Sequence, residues 1–292
     1  MSSGGQIAVS SGGTTSGTVL SNGGLEIVVA AGTASGSIVS SGGTQIVYGV
    51  AVNDMIGSAT GIFVSAGGII PTTTVNGYIT VVHGGTVDDA TIDSGGKIEL
   101  HGAASDTVIS SGATLQLMSG AVLSGSTIFM AGATEAIGQS YVASNATADS
   151  GVTVQVRSGG TVSGATMGGG LIEIMSGGTA GAGPIAFTGG GGTLQLDDSQ
   201  HFGGTIAGFG VPGGIDLRDI AFGSGTTLGY AGNASSGTLT VSDGTHTATL
   251  NLLGQYAAGN FTLHSDGNGG TLVTDPPLAG LAGNPFLTTP HS

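Results

Sequence analysis

Short apolar pulses recur through the opening stretch from Ser2 to Ser58, each set off by glycine. Gln6-Ile7-Ala8-Val9, Leu25-Glu26-Ile27-Val28 and Thr44-Gln45-Ile46-Val47 are rich in β-branched residues, and each follows a Ser/Asn-Gly-Gly turn signal. A second pulse comes later in each line, as Ser16-Gly17-Thr18-Val19-Leu20 and Ser35-Gly36-Ser37-Ile38-Val39. Gly5, Gly24 and Gly43 are evenly spaced, and Gly13 and Gly32 repeat the same interval. A fixed period of roughly 20 residues is the signature of a stacked repeat. Each line predicts two short strands and two glycine corners, which make one coil. A lone coil cannot bury its apolar side chains. A stack can, because each coil hydrogen-bonds to the next and like residues pile up.

The repeat loosens but continues. Gly43 and Gly68 lie farther apart than one period, and the excess predicts an insertion bulging out near Ala51 to Ile56. Turn signals return at His83-Gly84-Gly85, Ser94-Gly95-Gly96, Ser158-Gly159-Gly160 and Ser176-Gly177-Gly178. The second pulse returns at Ala90-Thr91-Ile92, Asp106-Thr107-Val108 and Ser126-Thr127-Ile128. Residues 1–187 are therefore read as a parallel β-solenoid.

From residue 188 the character changes. Six of the eight Phe lie at or after Phe187, and all six Met lie before it. Predicted strands are Thr193 to Leu196, Thr205 to Phe209, Ile215 to Leu217, Thr238 to Val241, Thr247 to Leu252, Phe261 to His264 and Thr271 to Thr274. Thr238-Leu239-Thr240-Val241 alternates as a half-buried strand does, and Ser242-Asp243-Gly244-Thr245 reads as a hairpin turn. Residues 188–277 are read as a C-terminal β-domain capping the open end of the stack, and residues 278–292 as a mobile tail.

Composition narrows the function. The chain has 61 Gly among 292 residues and a net charge of −14, with Lys97, Arg157 and Arg218 its only cations besides His. Nucleic acid needs a basic face and is excluded as a partner. The chain has no Cys, so stability must come from stacking. It contains no apolar run long enough for a transmembrane helix. Met1-Ser2-Ser3-Gly4 begins without the basic and apolar regions of a secretory signal, so either the chain is part of something longer or its export is read elsewhere.

The glycine-paced lines resemble the passenger repeats of AIDA-type bacterial autotransporter adhesins. Val39, Ser41, Gly42, Gly43 and Val47 match the first half of that repeat, and Gly32, Ala34 and Ile38 its second half. The resemblance implies a right-handed parallel β-solenoid outside the cell, working by adhesion, self-association or biofilm formation, against itself or a host or surface glycan or protein. Phe202-Gly203-Gly204-Thr205-Ile206-Ala207-Gly208-Phe209, followed by Ile215-Asp216-Leu217, is similar to a C-terminal block of large alphaproteobacterial exported proteins. Those proteins commonly carry Gly-Asp before Ile-Asp-Leu, where this chain has Gly213-Gly214.

Two clusters carry candidate chemistry. Asp88, Asp89, Asp93 and Lys97, with Glu99 nearby, form the densest charged group of the repeat region. Converging in a groove, they would suit a β-helix polysaccharide lyase or hydrolase, set against the plainer reading of solvated turn residues. Asp197, Asp198, Asp243, Asp266 and Asn268 offer oxygen ligands for Ca²⁺, set against turn-capping roles. Gly189-Gly190-Gly191-Gly192-Thr193-Leu194-Gln195-Leu196 echoes a calcium nonapeptide, but Leu194 stands where its Asp ligand belongs. The six histidines lie scattered, without metal-site spacing. The rest of the outer face is expected to be Ser, Thr, Ala and Gly, without aromatics or arginines to bind sugars. The reading that follows is a non-enzymatic surface adhesin, with a matrix or filament subunit and a carbohydrate-active enzyme as alternatives.

Overall fold

The computed structural model describes residues 4–57 and 61–275. The expected tail, residues 278–292, lies outside them. Every regular element is a strand apart from two 3₁₀ turns, Ser199–His201 and Ala258–Asn260. The chain is a β-solenoid and forms two compact units, residues 1–136 and 137–292.

In the first unit one wall is a ladder of four-residue strands. Gln6–Val9, Leu25–Val28, Thr44–Val47, Gly61–Val64, Tyr78–Val81, Lys97–Leu100 and Thr114–Leu117 pair in parallel, in that order. This wall is called the main sheet. Its second and fourth positions point inward, so Ile62, Val64, Ile79, Val81, Ile98 and Leu100 are fully buried. Its first and third positions face outward. The opposite wall has Thr14–Ser16, Thr33–Ser35, Val50–Ile56, Ile69–Val75, Thr86–Asp88 and Ala103–Ser105 paired in parallel, and the second pulses continue it as Val19–Leu20 and Ile38–Val39, paired with each other and with the end of Val50–Ile56.

The register corrects the expected insertion. Val50–Ile56 is a seven-residue strand, and its Ala51, Asp54 and Ile56 are buried. Gly68 does not share a column with Gly43. The Thr33 amide donates to the Gly13 carbonyl, Val50 to Gly32, Ile69 to Gly49 and Thr86 to Gly68, so Gly13, Gly32, Gly49 and Gly68 form one corner column. The coils here are shortened rather than lengthened. Thr44 pairs with Gly61 and Gly61 with Tyr78, and each of these steps takes less chain than the step from Leu25 to Thr44. Crowding keeps these corners glycine, because a Cβ on Gly68 would run into the Val47 carbonyl oxygen.

A further corner column needs positive φ. Gly17 (65°), Gly36 (65°), Asn53 (55°), Asp89 (46°), Asp106 (48°) and Gly125 (63°) occupy it on their respective turns. Asn and Asp are the residues that stand in for glycine there at low cost.

In the second unit the main sheet comprises Thr153–Val156, Leu171–Ile174, Thr193–Leu196 and Gly214–Leu217, all in parallel. Parallel stacking therefore continues past residue 187. Antiparallel pairing begins with Thr271–Thr274 against Gly214–Leu217, and Thr262–Ser265 adds to it. On the other wall Thr247–Leu253 pairs in parallel with Thr205–Ala207, Ser236–Ser242 leads into it as the predicted hairpin, and Thr227–Gly232 pairs antiparallel with Ser236–Ser242. Aromatic rings fill the end: Phe187 meets Phe209 edge-on at 5.1 Å, and Phe209 stacks on Phe261 at 6.4 Å.

Candidate functional site

Within each unit a set of polar side chains lies on the outward face of its own main-sheet strands. Lys97 opens its strand, and Arg157 and Arg218 directly follow theirs.

In the first unit, Tyr78 and Lys97 are register partners on adjacent coils. The Lys97 ammonium lies 5.2 Å from the Tyr78 ring centroid and 3.7 Å from Glu99 Oε2. The Tyr78 hydroxyl donates to Glu99 Oε2 at 2.5 Å, and His101 Nε2 lies 3.2 Å from Glu99 Oε1. Partial burial raises the Glu99 pKa, but Tyr78, His101 and Lys97 outweigh it and hold the carboxyl below its ordinary range. Burial and the Glu99 carboxylate push the Tyr78 hydroxyl up. On neighbouring coils Tyr48 and Phe63 are exposed. Gly61 stands between Thr44 and Tyr78 in the ladder and leaves an outward position without a side chain. The result is a groove lined by Thr44, Gly61, Phe63, Tyr78 and Lys97. The expectation of an outer face without aromatics or arginines is thus corrected. Alternation hid this set, because residues two apart on one strand and one coil apart in the stack look unrelated in sequence.

In the second unit a polar ladder crosses three coils. Gln155 Nε2 donates to Glu173 Oε2 at 2.7 Å, and Gln195 Nε2 donates to Glu173 Oε1 at 2.9 Å and to Asp197 Oδ1 at 3.0 Å. Arg157 Nε donates to Gln155 Oε1 at 2.8 Å. Arg218 lies 3.7 Å from Asp216 and 3.8 Å from Asp266. Burial raises the Asp216 pKa, Asp266 adds to the rise and Arg218 opposes it.

The acids singled out in sequence are spread around the coils. Asp88 ends a strand of the wall opposite Lys97 and accepts a hydrogen bond from the Ser105 hydroxyl. Asp89 occupies the positive-φ corner column, and the Asp93 carbonyl accepts the Gly96 amide at another corner. Lys97 stands on the main sheet with Glu99. Of the oxygen-rich set, Asp243 accepts the amides of Ala221, Thr245 and His246. These donors, with His246 beside it, hold its carboxyl far below the ordinary range. Asp266 accepts the amides of Asn268 and Gly270. Asp198 lies 2.7 Å from His201, and Asp197 is in the amide ladder. Among the described residues no three acid or imidazole groups converge as the ligands of a metal would.

Neither a protein-family profile nor a curated protein sequence matches the chain. Among solved structures, the solenoid is similar to a fragment of TibA hyper-glycosylated by TibC, with 25% identity and a TM-score of 0.54. The match covers 69% of this chain and 87% of that one. TibA is an AIDA-type autotransporter adhesin, and the structural match covers its passenger fragment. The likeness of the repeats to AIDA-type passenger repeats therefore holds in structure as well as in sequence.

Proposed function

We propose that this chain is an exported surface adhesin that acts by contact along a wall of the solenoid, with a second copy of itself as the partner. The observation that carries this is a column on the wall opposite the main sheet. Val19, Ile38 and Met55 sit in register on three successive coils and are 44%, 41% and 58% exposed. Val50, Val52 and Ile69 extend the apolar area, and Thr14, Ser16, Thr33, Ser35, Thr72 and Thr74 surround it without a charge. A chain of net charge −14 repels its own copies over most of its surface, so an uncharged apolar wall is where they can meet. The likeness to an adhesin passenger supports the same reading and a place outside the cell. The dispersal of Asp88, Asp89, Asp93 and Lys97 over different walls and corners supports a role without catalysis.

The test is surface display followed by settling and sedimentation velocity. The unaltered chain is expected to clump cells and to associate with concentration. Ile38→Glu with Met55→Gln is expected to abolish both while the β-sheet circular dichroism is retained. Equal clumping by the variant overturns the proposal.

A second reading rests on the groove beside Phe63 and Tyr78. Aromatic faces stack on the apolar faces of sugar rings, and Lys97, Glu99 and His101 add donors and acceptors beside them. Loss of binding to cellohexaose or chitohexaose in Phe63→Ala and Tyr78→Ala would support a glycan partner. Unaltered chain that binds neither sugar would remove that reading.

A further inference from the structure

Two carboxylates lie inside the first coils, where apolar side chains are expected. Glu26 and Gln45 are 0% exposed and Asp54 1% exposed. Glu26 and Gln45 are register partners at the inward second position of the main sheet, between Ile7 and Ile62. Asp54 faces them from the opposite wall, in a column with Thr18, Ser37 and Thr73.

The donors are unevenly shared. Glu26 Oε1 accepts from Thr15 Oγ1 at 2.9 Å and Thr18 Oγ1 at 3.0 Å, and Oε2 accepts from Ser37 Oγ at 3.0 Å and Gln45 Nε2 at 2.9 Å. Asp54 receives the Ser37 amide at 2.8 Å and the same Gln45 Nε2 at 2.7 Å. One amide group therefore bridges both acids. Its carbonyl oxygen, Gln45 Oε1, is buried without a partner. Among the described residues no cation lies within ion-pair distance of either acid. Two unpaired charges this close in a dry interior are costly, and neutralising one relieves the cost.

We propose that this interior is a proton-binding site, in which Asp54 holds the proton, Glu26 keeps its four donors, and the proton tightens the coils that carry the contact wall. The neighbours make the link. Thr18, Ser37 and Asp54 directly precede Val19, Ile38 and Met55, so the inward polar column and the outward apolar column are neighbouring residues of the chain, and Asp54 and Met55 share one strand. The link to contact rests on the self-association reading above, but the proton site does not. Glu26 has four donors and is satisfied as an anion. Asp54 has two, and protonation gives it an O–H to offer, with the donor-less Gln45 carbonyl on the adjoining amide. Burial pushes the Asp54 carboxyl up to about 6, the Gln45 and Ser37 hydrogen bonds oppose this, and the charge of Glu26 adds to the rise. Among the described residues Glu26 is the one ionisable group whose charge acts on it; its hydrogen-bond partners Ser37, Gln45 and Thr73 are neutral. A carboxyl whose folded pKa is raised from 3.8 lends its stability in acid and loses it as pH rises through about 6. In a solenoid each coil leans only on its neighbours, so the effect stays local.

The experiment is amide hydrogen exchange on the full chain at pH 5 and pH 8, corrected for intrinsic rates, with a ¹³C carboxyl titration. Protection within Thr33–Ser35 and Val50–Ile56 is expected to fall about tenfold between the two. Asp54→Asn, permanently neutral, is expected to match the unaltered chain at pH 5 and to keep its protection at pH 8. Glu26→Gln is expected to move the Asp54 midpoint to lower pH. It keeps the proposal testable if the Asn variant fails to fold. The same pH dependence in Asp54→Asn, an unmoved midpoint in Glu26→Gln, or recovery of protection at pH 8 on adding Ca²⁺ would each overturn the proton site. Settling of displaying cells is measured at both pH values. Absent clumping with an intact exchange response would sink the contact reading and leave the proton site standing.

Discussion

Gly68 stacks on Gly49: the Ile69 amide donates to the Gly49 carbonyl at 2.9 Å, carrying the ladder through the corner. The close pass of backbone here leaves no room for a Cβ, which would collide with the Val47 carbonyl. Its neighbour Gly67 is glycine for a different reason, with φ of 82° and open space around the missing Cβ. Gly68→Ala is therefore a packing change, expected to cost about 1–3 kcal/mol or more. Gly67→Ala is a torsional one, expected to cost about 1 kcal/mol. Denaturant melts of both variants check the order. Equal losses would show that crowding does not set the corner.

The corner column that includes Gly17, Gly36, Asn53 and Asp89 gives Asp89 a backbone role. Asp89→Asn and Asp89→Gly are expected to stay within about 0.5 kcal/mol of the parent. Asp89→Val forces a β-branched residue into positive φ and is expected to cost about 1–2 kcal/mol. A lyase or hydrolase that used this acid would instead lose its turnover in Asp89→Asn, which an assay for unsaturated uronate or new reducing ends would register.

These corners mark how far the sequence can be read. The period of Gly5, Gly24 and Gly43 and the pulses between them are enough for the coil, because stacking repeats one local solution. Most strands from Thr193 to Thr274 are legible for a similar reason, since alternation and turn residues are local, but Thr227–Gly232, interrupted by Gly229, is not among those predicted. Gly68 is misplaced by sequence because both corner columns are glycine, and only hydrogen-bond register tells them apart. Glu26 is hidden because Leu25-Glu26-Ile27-Val28 carries apolar residues on both faces. Val28, Val47 and Val64 fix which face turns in, and the partners that make Glu26 tolerable, Ser37 and Gln45, are 11 and 19 residues away. The aromatic and cationic groups of the outward face are likewise separated by whole coils.

Glu135 is a further inward acid of the first unit. Burial pushes its carboxyl up to about 7. Its pKa is raised above the unfolded value, so its stabilising contribution is complete in acid and is lost as pH rises through about 7. Glu135→Gln is expected to leave the melting temperature at pH 5 unchanged and to raise stability at pH 8, by on the order of 3 kcal/mol at most. Thermal melts of parent and variant at the two pH values test this. A variant that gains equally at both would mean that packing, not ionisation, is the cause.

Phe209 is fully buried, edge-on to Phe187 and stacked on Phe261, and its carbonyl accepts the Tyr256 hydroxyl at 3.0 Å. Three chain segments meet on this ring, so removing it leaves a cavity that separate strands cannot easily close. Phe209→Ala is expected to cost about 3–5 kcal/mol. Tyr256→Phe, which removes a hydroxyl and leaves a buried carbonyl without that donor, is expected to cost about 1 kcal/mol. In a stack held by neighbour contacts the damage should stay near its source. Hydrogen exchange in Phe209→Ala is expected to quicken in Thr205–Ala207, Thr247–Leu253 and Thr271–Thr274. Strands of the first unit, such as Ile69–Val75, should keep the parent's rates. Uniform loss of protection from Gln6 to Thr274 would contradict local stability and require the chain to melt as one cooperative body.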